Sequence, residues 1–358
     1  AANRPTPFAA DWDRNATFPK QALSELAALC AFGIAVKEKY GGAGMDATAT
    51  AIALEEIAFG DGATSTIISV NNSPVCAILL AWANEAQKQK YLVPLAQGQM
   101  LGAFCLTEPH VGSDASGLRT SAVLEGDHWV LNGVKQFITS GKTADVAIVM
   151  AVTDKAAGKR GISAFIVETK TPGYVVARLE DKMGQHASDT AQILFENCRV
   201  PSENLIGEEG AGYKIALAGL EGGRIGIASQ ALGMARAAYE AALKYAKERE
   251  AFGKPIFEHQ ALQFRLADMA TQLEAARQLI HHAAALKDGG EPCLKQAAMA
   301  KLFASEMAEA VCSSAIQIHG GYGYVADFPV ERIYRDVRVC QIYEGTSDIQ
   351  RILIARHL

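Results

Sequence analysis

The sequence predicts a multidomain α+β chain in three parts: helices, then strands, then longer helices. Two changes of period mark the parts off. From about Pro19 to Gln99 apolar residues recur at helical spacing, as in Ala22, Leu23, Leu26 and Leu29, with a break at Gly41-Gly42-Ala43-Gly44. From about Leu101 to Gly207 strand-like runs take over, and from about Tyr213 the helical period returns in long, Ala-rich segments. The domains are therefore drawn at 1–100, 101–207 and 208–358. A strand block between two helical blocks predicts a small barrel or sandwich packed against them.

Each element follows from local pattern. His128 to Ile138 carries Asn132-Gly133 between apolar runs, which predicts a two-residue hairpin turn because Asn-Gly accepts positive φ. Further strands are predicted at 146–152, 162–167 and 193–195, and a short one leads into Thr107-Glu108-Pro109. The later helices are predicted over 224–250, 259–287 and 294–318, the last ending in Gly320-Gly321 as a C-cap would.

Composition excludes several classes. A net charge of −5 leaves no basic footprint for nucleic acid. Seven cysteines, odd in number and without a Cys-x-x-Cys pair, fit a reduced compartment better than a disulfide framework. No apolar run is read as long enough to span a membrane, and the opening Ala1-Ala2-Asn3-Arg4 has no signal pattern, so the chain is expected to be cytosolic or already trimmed. Gly141-Lys142-Thr143 fails as a phosphate loop because Gln136 stands where the first glycine belongs. No Gly-x-Gly-x-x-Gly occurs, and adjacent His281 and His282 point to different helix faces, so no dedicated metal site is expected.

The remaining motifs are Thr107-Glu108-Pro109 with Gly112-Ser113-Asp114, Arg249 with Phe252-Gly253 and Gln260, Gln317 to Gly323, and Tyr343-Glu344-Gly345-Thr346-Ser347. A carboxylate set between apolar residues and bare glycine backbone is a plausible general base. In order and spacing, from about Pro19 to Leu358, these blocks resemble the acyl-CoA dehydrogenase family. The resemblance implies an N-terminal helical domain, a middle β-domain and a C-terminal four-helix bundle, assembled as a homotetramer with FAD as cofactor.

Residue by residue, the resemblance makes Glu344 the base that takes the α-proton of an acyl-CoA thioester while hydride leaves for flavin N5. Some members carry the base just before an arginine on an earlier helix. Here that arginine matches Arg224, and Gly223 before it cannot act. Arg224 would sit near Glu344 and hold its orientation. Phe104, Leu106, Thr107, Gly112 and Ser113, with Phe137, Ile138 and Thr139, would line the isoalloxazine. Thr346 and Ser347 would contact FAD beyond the base. Arg249, Phe252, Gln260, Gln317, Gly320 and Gly321 would hold the pyrophosphate and adenine of a neighbouring subunit's FAD. Ser113, Glu221, Arg224 and Gly345 would meet substrate. The loop Lys182 to Ser188 has the family's look and reads as structural, and His319 fits either the phosphates or a structural role. The segments around Gly222 and Leu262 look closest to the short-chain and short-branched-chain members, which implies an acyl group of four or five carbons. Electrons would pass to electron-transferring flavoprotein, in bacterial cytoplasm or mitochondrial matrix. The alternatives are an acyl-CoA oxidase on the same fold and a non-catalytic flavin- or CoA-binding scaffold.

Overall fold

The computed structural model describes residues 5–358, with side chains from residue 7. The first part holds α1 (Pro5–Asn15), α2 (Lys20–Ala28), α3 (Ala47–Gly60), α4 (Gly62–Val70), α5 (Ala77–Trp82) and the short α6 (Glu85–Gln87) and α7 (Val93–Ala96). Asp46 and Asp61 start α3 and α4, their side chains accepting from Ala49 N and Thr64 N. Helical structure runs on from Gly62 to Trp82, with one extended residue at Ser73. By length and composition this stretch could cross a membrane, contrary to the sequence reading. Its polar residues hid it there. They are buried and bonded inside the protein: Asn71 donates to Phe32 O and accepts from Gly102 N, and Asn72 donates to Ala31 O. It is a core helix.

The middle part contains β1 (Gly102–Cys105), β2 (Ser121–Glu125), β3 (His128–Thr139), β4 (Val146–Val152), β5 (Ile162–Glu168), β6 (Tyr174–Leu179), β7 (Thr190–Pro201) and β8 (Leu205–Ile206). The strands run in the order β6-β7-β3-β2-β4-β5-β8, with β1 parallel on β4. Strands β2 and β4 touch only at Ser121↔Val152, so the sheet divides there into two leaves. The leaves share one apolar core, with Trp129 of β3 packed edge-on against Phe165 of β5 at 5.3 Å. That is a sandwich. Asn132-Gly133 does not turn the chain. Gly126-Asp127 makes the two-residue turn between β2 and β3, and β3 runs straight through Gly133 with a register shift against β7. Two constraints keep Gly133 in the strand. Asn132 and Asn197 bond each other across the shift, and a β-carbon at Gly133 would lie 2.5 Å from Thr120 Oγ1.

The last part opens with α8 (Gly212–Glu248), twelve residues earlier than its periodicity suggested. A two-residue ribbon, β9 (Glu250–Ala251) with β10 (Lys254–Pro255), leads to α9 (Gln260–Asp288) and α10 (Leu294–His319). Then follow α11 (Val330–Val337) and α12 (Ser347–Ala355). Three long helices and α12, which packs on α10, form the bundle. Alanines on the facing surfaces, among them Ala228, Ala231, Ala235, Ala300, Ala304 and Ala308, are fully buried and let the helices approach closely.

Helix α3 belongs to this same core. Ala51 and Ala58 lie in one apolar cluster with residues of α8, α9 and α10. The Lys182–Ser188 loop ties the middle part in: Gln185 N donates to Asp336 of α11, and Thr66 Oγ1 to Gln185 Oε1 at 2.8 Å. A β-carbon on Gly233 of α8 would come within 2.2 Å of Glu55 O. Gly233→Ala should therefore destabilise the protein by about 1–3 kcal/mol through overpacking, read as a lower melting temperature.

Candidate active site

The site is built where α8, α10 and the turn before α12 meet. Glu344 has φ 51° and Gly345 φ 95°, two successive left-handed residues. Glycine adopts that conformation freely, but glutamate does not, so the surroundings must hold it. Thr346 begins α12 as its N-cap, accepting from Ile349 N. The Gly345 carbonyl accepts from Lys301 Nζ at 2.6 Å and from Gln350 Nε2 at 2.9 Å. On the other side, the Tyr343 hydroxyl donates to Gln230 Oε1 at 2.8 Å. The turn is pinned from both flanks.

The Glu344 carboxylate points into the flank of α8. Its Oε2 lies 1.7 Å from where a β-carbon on Gly223 would be, so the missing side chain is the space the carboxylate fills. Oε2 is buried and has no hydrogen-bond partner. Burial pushes the carboxyl up to about 7 from its ordinary 4.5, against the opposing pull of Lys301 and Arg224. An acid poised near neutrality, with an unsatisfied oxygen, is suited to proton abstraction.

Arg224 is buried with Nε unpartnered, and its electrostatic neighbours are Glu344 and Glu221. Among the described residues no hydrogen bond or ion pair joins it to Glu344, and the two interact through charge alone. The helix explains this: the side chain at 224 leaves α8 about 100° further round than the bare face of Gly223. Glu221 Oε1 accepts weakly from Cys293 Sγ at 4.0 Å, at the more exposed end of the same helix face.

The flavin-lining candidates occupy the end of β1 with the loop after it, and the adjoining end of β3. The Glu108 carboxylate, buried, accepts from Arg119 N, Thr120 N and Lys135 Nζ, and Lys135 also reaches Leu106 O, so the loop from Leu106 to Val111 is fixed. Gln136 N donates to Thr107 O at 2.9 Å, which brings the 137–139 segment alongside. Phe137 is 63% exposed with φ 59°. Phe104 and Thr107 are half-buried, and Gly112 and Ser113 are exposed, with open space beside Gly112. Ile138 instead points into the sandwich core and Leu106 is buried as well, which leaves each only its backbone for a ligand. Thr139 is half-buried, and Ser347 Oγ is buried and unpartnered.

A cavity of about 570 Å³ opens at the far end of α10, lined by Arg249, Gly320, Gly321, Tyr245 and Tyr322 among others. Phe252 (96% exposed), Gln260 and Gln317 lie on the surface and do not line it. His319 is buried, stacked on Tyr245 at 4.4 Å with Nδ1 against Ala315 O, and it also lines the cavity. Asp348 is an exposed first-turn residue of α12 paired with Arg351. An exposed aromatic face at Phe137, open glycines at 112, 253, 320 and 321, and the Arg249 cation fit a flavin dinucleotide in two separated halves.

Lys301, Gln350 and Gln230 escaped the sequence reading. Lys301 carried a signal: it falls on the buried stripe of 297, 301, 304 and 308, where a charge has no bland place. Two outcomes test the geometry. Gly223→Ala should displace the carboxylate and lower turnover at least about 100-fold, while flavin absorbance is retained. Below pH about 4.5 Glu344 is protonated folded and unfolded, whereas between there and about 7 only the folded chain keeps the proton. Its contribution to stability is thus lost as pH rises through about 7, and Glu344→Gln should flatten that fall in a pH series of denaturant midpoints.

Profiles of the acyl-CoA dehydrogenase N-terminal, middle and C-terminal domains match residues 1–99, 103–198 and 210–358. The chain is 50% identical over 352 residues to the short-chain specific acyl-CoA dehydrogenase, mitochondrial, of Rattus norvegicus, covering 98% of this chain and 85% of that protein. Butyryl-CoA dehydrogenase from Megasphaera elsdenii superposes with a TM-score of 0.95 at 44% identity, covering 99% and 94% of the two chains. A chain in the structure of the electron transferring flavoprotein of Acidaminococcus fermentans gives 0.97 at 49% identity, covering 98% and 93%. Glutaryl-CoA dehydrogenase from Mycobacterium smegmatis in complex with FADH2 gives 0.94 at 33%, covering 99% and 90%. Matched along nearly its whole length in sequence and in fold, the chain belongs to the acyl-CoA dehydrogenase family and is an FAD-dependent oxidoreductase of acyl-CoA thioesters.

Proposed function

We propose that the protein desaturates the Cα–Cβ bond of a short-chain acyl-CoA, straight or branched and of four or five carbons, with Glu344 as the base. One observation carries this: the buried, unpartnered Oε2 of Glu344, lodged against the bare flank of Gly223. The carboxylate takes the α-proton. Arg224, buried with an unpartnered Nε, places a positive charge near the base and favours its ionised form. Gly345, lacking a side chain, leaves the thioester access to backbone beside the base. Bound FAD supplies the acceptor for the β-hydride. Proton and hydride together account for the two hydrogens lost, and the enoyl-CoA leaves as product. Phe104, Thr107, Gly112, Ser113, Phe137, Thr139, Thr346 and Ser347 would hold the flavin, with Ile138 and Leu106 contributing backbone. Ser113 and Glu221 would flank the acyl-CoA arm.

The cavity at Arg249, Gly320 and Gly321 would receive the adenosine half of a neighbouring subunit's cofactor, with Phe252, Gln260 and Gln317 completing it in a homotetramer. Lys301 and His319 stand eighteen residues apart on α10, roughly 27 Å at 1.5 Å per residue, which supports separate ownership of the two halves. The short chain length and the transfer of electrons to electron-transferring flavoprotein draw support from the named relatives.

The test is an anaerobic titration of the flavin-loaded protein with butyryl-CoA and isobutyryl-CoA. Bleaching of the flavin with a long-wavelength charge-transfer band is expected, and Glu344→Gln should slow it by about 10²–10⁴-fold. A rate profile peaking at eight carbons or more would overturn the chain length. Oxygen consumption without an added acceptor would move the protein to the oxidases.

A further inference from the structure

The side chain best placed to govern Glu344 is one that the reaction does not consume. Lys301 stands in the middle of α10 with no exposed surface, on a helix face shared with buried Ala297, Ala304 and Ser305. Among the described residues no carboxylate lies within ion-pair distance of its Nζ, and its hydrogen bond goes to the Gly345 carbonyl at 2.6 Å. A buried ammonium with only a carbonyl for company is destabilising, and a methionine there would fill the same space without that penalty. Its presence calls for a reason.

Two neighbours supply one. The carbonyl it holds belongs to the residue after the base, in the left-handed turn at 344–345, and Gln350, also without exposed surface, donates to the same oxygen. The acid that Lys301 feels most strongly is Glu344 itself. Resting on the assignment of Glu344 as base, we propose that Lys301 is its positioning residue: with Gln350 it clamps the Gly345 carbonyl to hold the turn, and its ammonium is the counter-charge of the ionised carboxylate.

The division of labour follows from chemistry. Gln350 is a neutral donor, so it contributes geometry alone. Lys301 contributes geometry and charge. The other groups around the base are Arg224 from α8, with Glu221 beyond it, and Tyr343 and Cys340 from its own segment. Burial pulls Lys301 down to about 8, and Glu344 opposes this, so the two ionisations support each other near neutrality.

The experiment follows the rate of flavin reduction by butyryl-CoA against pH in the holoenzyme, for the parent, Lys301→Met, Lys301→Arg and Gln350→Leu. Lys301→Met should slow reduction and move the midpoint upward by about 1–3 units, the effect of removing a close opposite charge. Gln350→Leu should slow reduction with the midpoint unmoved, and Lys301→Arg should bring the midpoint back. A parental midpoint in Lys301→Met overturns the proposal, and so does an equal shift in Gln350→Leu. Should Lys301→Met not fold, the parent decides: a lysine Nζ resonance should titrate with the rate midpoint and stop doing so in Glu344→Gln. Absence of that signal also overturns it. Parental turnover in Glu344→Gln would instead remove the base assignment, a separate result.

Discussion

A carboxylate that must be dry, ionisable and unsatisfied needs a niche that no side chain fills, and the contact of Glu344 with Gly223 provides one. Much of the surrounding structure serves that contact. Water is kept from one face by the packing of α8 on α10, and the carboxyl rises toward neutrality because of it. The left-handed backbone at Glu344 would relax without its tethers at Gly345 and Tyr343. Strain, burial and the missing β-carbon are three aspects of one requirement: the acid must be held where solvent would not leave it.

The packing that makes the niche is assembled from small residues. Alanine-lined faces bring α8 and α10 together, and Gly233 lets α3 press its backbone against the opposite side of α8. The helix that carries Gly223 and Arg224 is thus gripped on several faces and cannot rotate to ease the contact. Preorganisation of this kind holds the Glu344 carboxylate in one place without a shift of the surrounding backbone.

How much of this could be read in advance depends on whether the cause is local. Period and composition carry the helix–strand–helix order because a buried stripe repeats at fixed spacing. Glu344 stands out in the sequence because a short motif sets it beside two hydroxyls and a glycine. The Asn132-Gly133 turn misled, since its local preference yields to a register shift stabilised by Asn197, sixty-five residues away. Lys301 was overlooked for the same reason: its acceptor is forty-four residues off, and nothing near it in sequence names that acceptor. Gly223 was read as the absence of a base. Only the fold reveals it as the room for the Glu344 carboxylate.

The membership of α3 in the C-terminal core has a consequence for biogenesis. Ala51 and Ala58 find their partners on α8 and beyond, well over a hundred residues later in the chain. During synthesis the first helices therefore leave the ribosome with an apolar face that nothing yet covers. Contacts this distant in sequence slow folding and lengthen the exposure of sticky surface. The N-terminal segment should accordingly be the chaperone client of the nascent chain, released only when α8 has arrived to cover it.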